Sequence, residues 1–185
     1  MPRQLDDIQA QMQEAVERAH RLADGLGFES WGSKPARDRW SVCECLIHLN
    51  MTSKAFLPRL QEAVRHGREQ NIRSDGPFRM DFTGWLLTRL VEPPYRLKVK
   101  TTPPFVPESV EPKEKVLAEF EELQKRILLC VRDSNGLALD RLKIASPFAE
   151  KVKYSVYSTF RIIPAHQRRH LWQAEQTLLA LEKKN

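Results

Sequence analysis

The stretch that decides the fold runs from about Ser155 to Lys183 and consists of SVYSTFRIIPAHQRRHLWQAEQTLLALEK. Its apolar residues recur at intervals of three and four, which places them on one face of a helix. That face contains Val156, Phe160, Ile163, Leu171, Ala174, Leu178 and Leu181. Pro164 lies inside the segment and should kink the helix, because proline removes one helical hydrogen bond. The segment therefore predicts a long last helix with one buried face.

A second long helix is marked by the way it starts. Ser41 is followed three residues later by Glu44, a capping-box pattern in which each side chain bonds a free backbone N–H. Helical spacing of the apolar residues then continues to about Arg65. Because Pro58 falls inside this stretch, we predict a kink or break within Lys54–Phe56.

Two more segments with helical spacing complete the set. The first helix carries its apolar stripe over Leu5–Leu26, and the third is predicted over Pro112–Asp133. Half of the chain's 12 prolines fall in residues 93–112, so this region cannot be a regular helix. A short helix is predicted before it, over Phe82–Leu90. The chain should form an all-α four-helix bundle, in a single domain over residues 1–185, with a long proline-rich connection between helices two and three.

Composition narrows the class of protein further. The 185 residues suit one ordinary domain, and no run approaches the roughly 18 apolar residues of a membrane span. The charged N-terminus lacks the apolar core of a signal peptide, and three cysteines without a framework spacing suit a reducing compartment. We therefore expect a cytoplasmic protein with no membrane partner.

The net charge of +6 raises the question of nucleic-acid binding. The 30 basic residues are scattered along the sequence among 24 acidic ones, and no nucleic-acid motif is present. We therefore expect no nucleic-acid partner. A bundle face can bury a second copy as readily as a core, so a homodimer is left open.

The strongest chemical signal is the pair His166 and His170. Four residues apart on a helix, both imidazoles project from one face and could hold one divalent ion. In a zinc-protease helix a glutamate general base follows the first histidine, but here that position is Gln167, which excludes this class. His48 lies in an apolar run of the second helix, where a buried histidine needs a partner. It is interpreted either as a hydrogen-bonded core residue or as a third ligand.

Three neighbouring residues have two interpretations each. Glu44 lies one turn before His48 and could orient its ring as an outer hydrogen-bond partner, but it is also the capping-box residue. Cys45 could approach a metal, although a small buried thiol is the favoured interpretation. Trp172, beside the histidine pair, is the tryptophan most suited to line a pocket, although packing in the core or at its edge is the default interpretation.

The sequence resembles a known family in several places. Residues 39–49, RWSVCECLIHL, resemble the second-helix signature of the DinB/YfiT-like metalloenzyme superfamily, and residues 163–174, IPAHQRRHLWQA, resemble its last helix. Residues 100–107 and 146–148 are similar to connecting segments of its DinB-like branch. The resemblance covers nearly the whole chain.

This resemblance implies a four-helix bundle that holds a divalent metal ion, zinc or nickel, through His48, His166 and His170. Family members include thiol S-transferases that use bacillithiol or mycothiol, a mycothiol-dependent maleylpyruvate isomerase and hydrolases. We expect a metal-dependent thiol S-transferase or hydrolase that acts on a small molecule, with a low-molecular-weight thiol as a further cofactor. The alternative is a metal-containing module that binds a small ligand or a partner without turnover.

Overall fold

The computed structural model describes residues 1–94 and 101–183. Within these residues, four long helices form the bundle, and two short helices, one 3-10 turn and a small hairpin are added to it. In chain order the elements are α1 (Arg3–Ala23), α2 (Phe28–Gly32), α3 (Val42–Glu69), α4 (Phe82–Val91), the 3-10 turn (Pro103–Phe105), α5 (Lys113–Asp133), β1 (Lys143–Ala145), β2 (Lys153–Ser155) and α6 (Val156–Glu182). The predicted all-α bundle is confirmed.

The helices are not arranged as a simple meander. Helix α1 packs against α5 and α6, and α3 packs against the same two helices, whereas α1 and α3 make few contacts with each other. Consecutive long helices α1 and α3 therefore lie diagonally across the bundle. In an up-down-up-down bundle consecutive helices would be neighbours. The diagonal arrangement brings α3 directly beside α6, which is the pairing that the site requires.

Helix α3 begins at the predicted capping box. Ser41 Oγ accepts from the backbone N–H of Glu44 at 3.1 Å, and the N–H of Ser41 donates to Glu44 Oε2 at 2.9 Å. The helix then continues through Pro58 to Glu69, so the predicted break does not occur. Leu57 and Leu60, on either side of the proline, are almost fully buried. Burial of such a side chain contributes roughly 1.5–3 kcal/mol, comparable to the roughly 3 kcal/mol that a helical proline costs.

Helix α6 follows the hairpin without a gap. Ser155 caps it by accepting from the N–H of Ser158 at 3.0 Å, and the helix passes through Pro164 without interruption. Of the apolar stripe predicted for this helix, the first five residues are buried and the last two are half-buried. Ala165, Gln167 and Leu171, which lie next to the two histidines in sequence, are buried. The packing of these residues holds the part of α6 that carries the two imidazoles.

The hairpin is a feature that the sequence did not predict. Strands β1 and β2 pair antiparallel, with Ile144 opposite Tyr154, and both of these side chains are buried. Each strand has three residues, too few for an alternating pattern to stand out. The predicted short helix before the proline-rich region is present as α4, and residues 95–100 of that region lie outside the described residues.

Candidate metal centre

Three histidines from two adjacent helices meet at the centre of the bundle. His48 comes from α3, and His166 and His170 come from successive turns of α6. One nitrogen from each ring lies within 4.8 Å of a nitrogen from each of the others. His48 and His170 are 2% and 5% exposed, while His166 is half-buried. The three residues that the sequence singled out are therefore brought together.

The spacing of two of these nitrogens fits a metal ion. His48 Nε2 and His166 Nε2 lie 3.3 Å apart. Two nitrogens held about 2.0–2.1 Å from one tetrahedral zinc ion stand about 3.3–3.4 Å from each other. The observed distance, which also suits a hydrogen bond between the two rings, fits two ligands of a single ion.

The tautomer of His48 is fixed by a backbone group. Its Nδ1 lies 2.7 Å from the carbonyl oxygen of Phe105 in the 3-10 turn. A carbonyl oxygen can only accept, so Nδ1 carries the proton and donates to it, and Nε2 is left with its lone pair toward the other rings. A backbone carbonyl was one of the partners expected for a core His48, but the sequence did not identify Phe105, because a backbone carbonyl leaves no signature in the residue type. The only signal was the pair of prolines before Phe105, which indicates a rigid turn.

His170 differs in having a polar atom without a partner. Its Nδ1 is buried and has no hydrogen bond to any described residue. The nearby amide of Gln173 favours the protonated ring slightly, but it does not provide Nδ1 with a hydrogen bond of acceptable geometry. A buried polar atom without a partner is costly. A hydrogen-bond donor or a metal ion bound at this nitrogen would reduce that cost.

All three imidazoles are held in the neutral form. Burial is the largest cause, and it lowers the pKa of His48 to about 4. Burial also lowers the pKa of His166 and His170 well below the ordinary value. The positive charge of Arg169, a buried residue of α6, acts in the same direction on all three. Neutral imidazole is the form that binds a metal ion, so at neutral pH these rings are ready to act as ligands.

Two aromatic side chains, Trp40 and Phe148, lie against the histidine rings. Trp40 stacks on His170 with ring centres 5.6 Å apart and planes at 24°, and it also lies 4.9 Å from the ring of His48. Phe148 lies 6.1 Å from the ring of His166. Trp40 is therefore a tryptophan of the site that the sequence did not single out, and a role for Trp172 in lining the pocket stays a prediction. Apolar walls of this kind limit the access of water to a metal site.

The hydrogen bonds at Glu44 match its capping role. One carboxylate oxygen accepts from Ser41, and the other lies 2.6 Å from the ammonium nitrogen of Lys34. The Nδ1 atom of His48 is bonded to Phe105 instead. Of the two interpretations of Glu44, the capping box is therefore the one that the contacts support, and the orientation of His48 has another source.

Cys45 and Gln167, which are close in sequence to the histidines, are not suited to act on a bound metal ion. Cys45 is fully buried, and burial raises the pKa of its thiol, so the thiol stays protonated. Gln167, between the two α6 histidines in sequence, donates through Nε2 to Gln124 Oε1 at 2.6 Å on the side facing α5. The position that holds the general base of a zinc protease is therefore committed to a contact within the core.

Comparison with known proteins identifies the family. The family model of the DinB superfamily matches residues 11–174, and the chain belongs to this superfamily. No curated protein and no solved structure matches the chain. The match includes all three histidines, so the predicted resemblance is confirmed at the level of the family. A metal-binding protein is compatible with this family and with the histidine cluster.

No helix in residues 1–94 and 101–183 is both long enough and apolar enough to cross a membrane.

Proposed function

We propose that this protein is a divalent-metal-dependent enzyme that acts on a small molecule, as a thiol S-transferase or a hydrolase. The observation that carries the proposal is the gathering of His48, His166 and His170, two of them with Nε2 atoms 3.3 Å apart. Zinc or nickel is the expected ion, because neutral imidazole suits both. Three ligands from the protein leave a fourth position open, which is the pattern of catalytic rather than structural sites.

The chemistry follows from the charge of the ligand set. Three neutral imidazoles leave the full charge of a bound divalent ion, which would lower the pKa of water to about 7 or hold a thiol as thiolate. The protein's own residues supply the geometry: Phe105 orients His48, and Trp40 and Phe148 shield the rings. A low-molecular-weight thiol is the proposed second cofactor for the S-transferase reaction.

A second candidate is a module that binds metal and a small ligand without turnover. This candidate is favoured because neither Glu44 nor Gln167 is available as a general base. Glu44 is bonded to Ser41 and Lys34, and Gln167 is an amide bonded to Gln124. An enzyme of this kind would have to rely on the metal-activated nucleophile itself or on a group of the substrate.

Metal content and turnover together test the proposal. The protein is purified without an affinity tag or nickel column, and its metals are quantified by mass spectrometry beside a His48→Ala/His166→Ala variant. A His20→Ala/His66→Ala variant is the matched control, because it also removes two histidines but both are exposed. We expect close to one equivalent of metal in the wild type and the control, and little in the first variant.

Turnover then separates the two candidates. Metal-loaded protein is assayed with low-molecular-weight thiols in the presence of electrophiles such as epoxides, and separately with esters and amides. Activity that is lost in the His48→Ala/His166→Ala variant supports the enzyme. Bound metal without turnover in any of these assays favours the binding module, and less than a tenth of an equivalent of metal in the wild type contradicts both.

A further inference from the structure

Within the described part of the connection between α4 and α5, the 3-10 turn Pro103–Phe105 contacts the metal centre through the carbonyl of Phe105. We infer that this turn is a positioning element, in which the carbonyl of Phe105 holds the ring of His48 with Nε2 directed at the metal. The inference rests on the proposed function, since it concerns the same site. It assigns a role to a segment that otherwise would only join two helices.

The turn is built to hold its carbonyl in place. The N–H of Phe105 donates to Thr102 O at 2.9 Å, and the N–H of Val106 donates to Pro103 O at 3.1 Å. Pro103 and Pro104 fix two successive φ angles near −65°, so little backbone freedom remains to be lost when the turn forms. A carbonyl on such a turn can orient an imidazole at a low entropy cost.

The side chain of Phe105 also links the turn to the metal centre, through the ring of Phe148. The ring is 8% exposed and lies 4.8 Å from the ring of Phe148. Phe148 in turn lies 6.0 Å from Phe56 on α3 and 6.1 Å from His166 on α6. Phe105 therefore contacts His48 through its backbone carbonyl. Its ring packs on Phe148, which in turn lies against His166.

This arrangement has a measurable consequence for metal affinity. A histidine whose Nδ1–H is held presents Nε2 in one orientation, whereas a free ring samples both tautomers and several rotations. Loss of such an outer partner typically lowers metal affinity by about 10–100-fold. A turn that has lost its anchoring ring should therefore weaken metal binding while all three histidines are still present.

The first measurement uses the metal-free protein. Long-range ¹H–¹⁵N correlation spectra distinguish Nδ1–H from Nε2–H imidazole, and the chain has only 5 histidines to resolve. We expect the wild-type His48 ring to be the Nδ1–H tautomer at neutral pH. In Phe105→Ala we expect a mixture of tautomers, and in the conservative Phe105→Leu variant we expect the wild-type tautomer again.

The second measurement is the dissociation constant for Co²⁺, obtained by competition with a chromophoric chelator. We expect at least about tenfold weaker binding in Phe105→Ala and recovery to within about threefold in Phe105→Leu. Phe78→Ala is the matched control: Phe78 is 4% exposed, belongs to another irregular segment, and its carbonyl accepts from Gln4 Nε2 at 2.9 Å. It should lower stability but leave Co²⁺ affinity within about threefold of wild type.

The outcomes separate this inference from the proposed function. If wild-type His48 is the Nε2–H tautomer, or if Phe105→Ala binds Co²⁺ as tightly as wild type, the positioning role is overturned while the metal site stands. The role is also overturned if Phe78→Ala weakens binding as much as Phe105→Ala does. If the wild type itself fails to bind Co²⁺, the proposed function is overturned, whatever the tautomer of His48.

Discussion

His48 and His170 are buried to nearly the same extent, yet they are held in different ways. The Nδ1 of His48 donates to a carbonyl outside its own helix, whereas the Nδ1 of His170 has no hydrogen bond among the described residues. His170 is instead held by the helix that it shares with His166 and by the ring of Trp40 stacked on it. His48 is thus oriented by a hydrogen bond in addition to the ring of Trp40, whereas His170 is held by packing.

This difference shows that a site made of identical side chains need not be uniform. In the metal-free protein the α3 side is satisfied, while the α6 side contains a buried nitrogen that lacks a partner. A metal ion bound through that nitrogen would relieve a cost that has no counterpart at Nδ1 of His48. The predictions below challenge this contrast, beginning with the largest effect.

The largest effect is expected from removal of one of the two buried ligands, His48 or His170. His48→Ala and His170→Ala should each lower metal affinity by roughly 100-fold or more, because loss of a coordinating residue exceeds the 10–100-fold typical of an outer partner. Chelator competition with Zn²⁺ measures it. Retention of wild-type affinity in one of the two variants would show that this histidine is not a ligand.

A second prediction concerns Gln167, which lies between the α6 histidines in sequence but faces α5. Gln167→Glu creates the histidine-glutamate pattern of a zinc-protease helix, but the new carboxylate would be buried against Gln124. Burial should raise the pKa of that carboxyl, so its destabilisation grows as pH rises through and beyond the ordinary range of a glutamate. We expect a loss of about 1–3 kcal/mol at pH 8 and less at pH 5 in urea unfolding.

The uncharged Gln167→Met variant is the control for this experiment. It removes the same hydrogen bond without a titrating group, so its stability loss should not depend on pH in that range. Peptide hydrolysis that appears in Gln167→Glu but not in Gln167→Met would contradict the orientation of this side chain away from the metal.

A third prediction compares the two buried histidines without metal. His48→Ala leaves the carbonyl of Phe105 without its donor, which costs about 1–3 kcal/mol, whereas His170→Ala removes a nitrogen that had no hydrogen bond. Both substitutions also remove a ring of the same size. In the presence of a chelator, His48→Ala should be the less stable of the two by about 1 kcal/mol or more. Equal stabilities of the two variants would contradict a stabilising hydrogen bond at His48 that His170 lacks.

The smallest effect tests whether Glu44 contributes to the α3 side of the site. Glu44→Gln weakens the capping box and the contact with Lys34, so it should cost about 0.5–2 kcal/mol in stability. Metal affinity should stay within about twofold of wild type, since Phe105 and not Glu44 orients His48. Ser41→Ala is the control for the cap alone, and a tenfold loss of affinity in Glu44→Gln only would restore Glu44 as the outer partner.

The sequence predicted the features that depend on periodic side chains. Apolar spacing located the four long helices, and the four-residue spacing of His166 and His170 placed two imidazoles on one face. His48 stood out because a histidine in an apolar run needs a partner. These are local properties, and the structure shows the three side chains together.

The features that the sequence did not predict depend on tertiary contact or on the backbone. The carbonyl of Phe105 could come from any residue type, and its role appears only once the connection is folded against α3. Trp40 directly precedes the capping box in the sequence, and the stacking of its ring on His170 appears only in the folded protein. Strands β1 and β2 are too short to produce a recognisable alternation.

The most direct test of the central claim is X-ray absorption spectroscopy of the zinc-loaded protein, purified without added thiol. It counts the imidazole ligands of the ion and detects sulfur. The account predicts three imidazole nitrogens at about 2.0–2.1 Å and no sulfur from the protein at about 2.3 Å. One or two imidazoles in the zinc shell, or a cysteine sulfur in place of one of them, would contradict a site made by His48, His166 and His170.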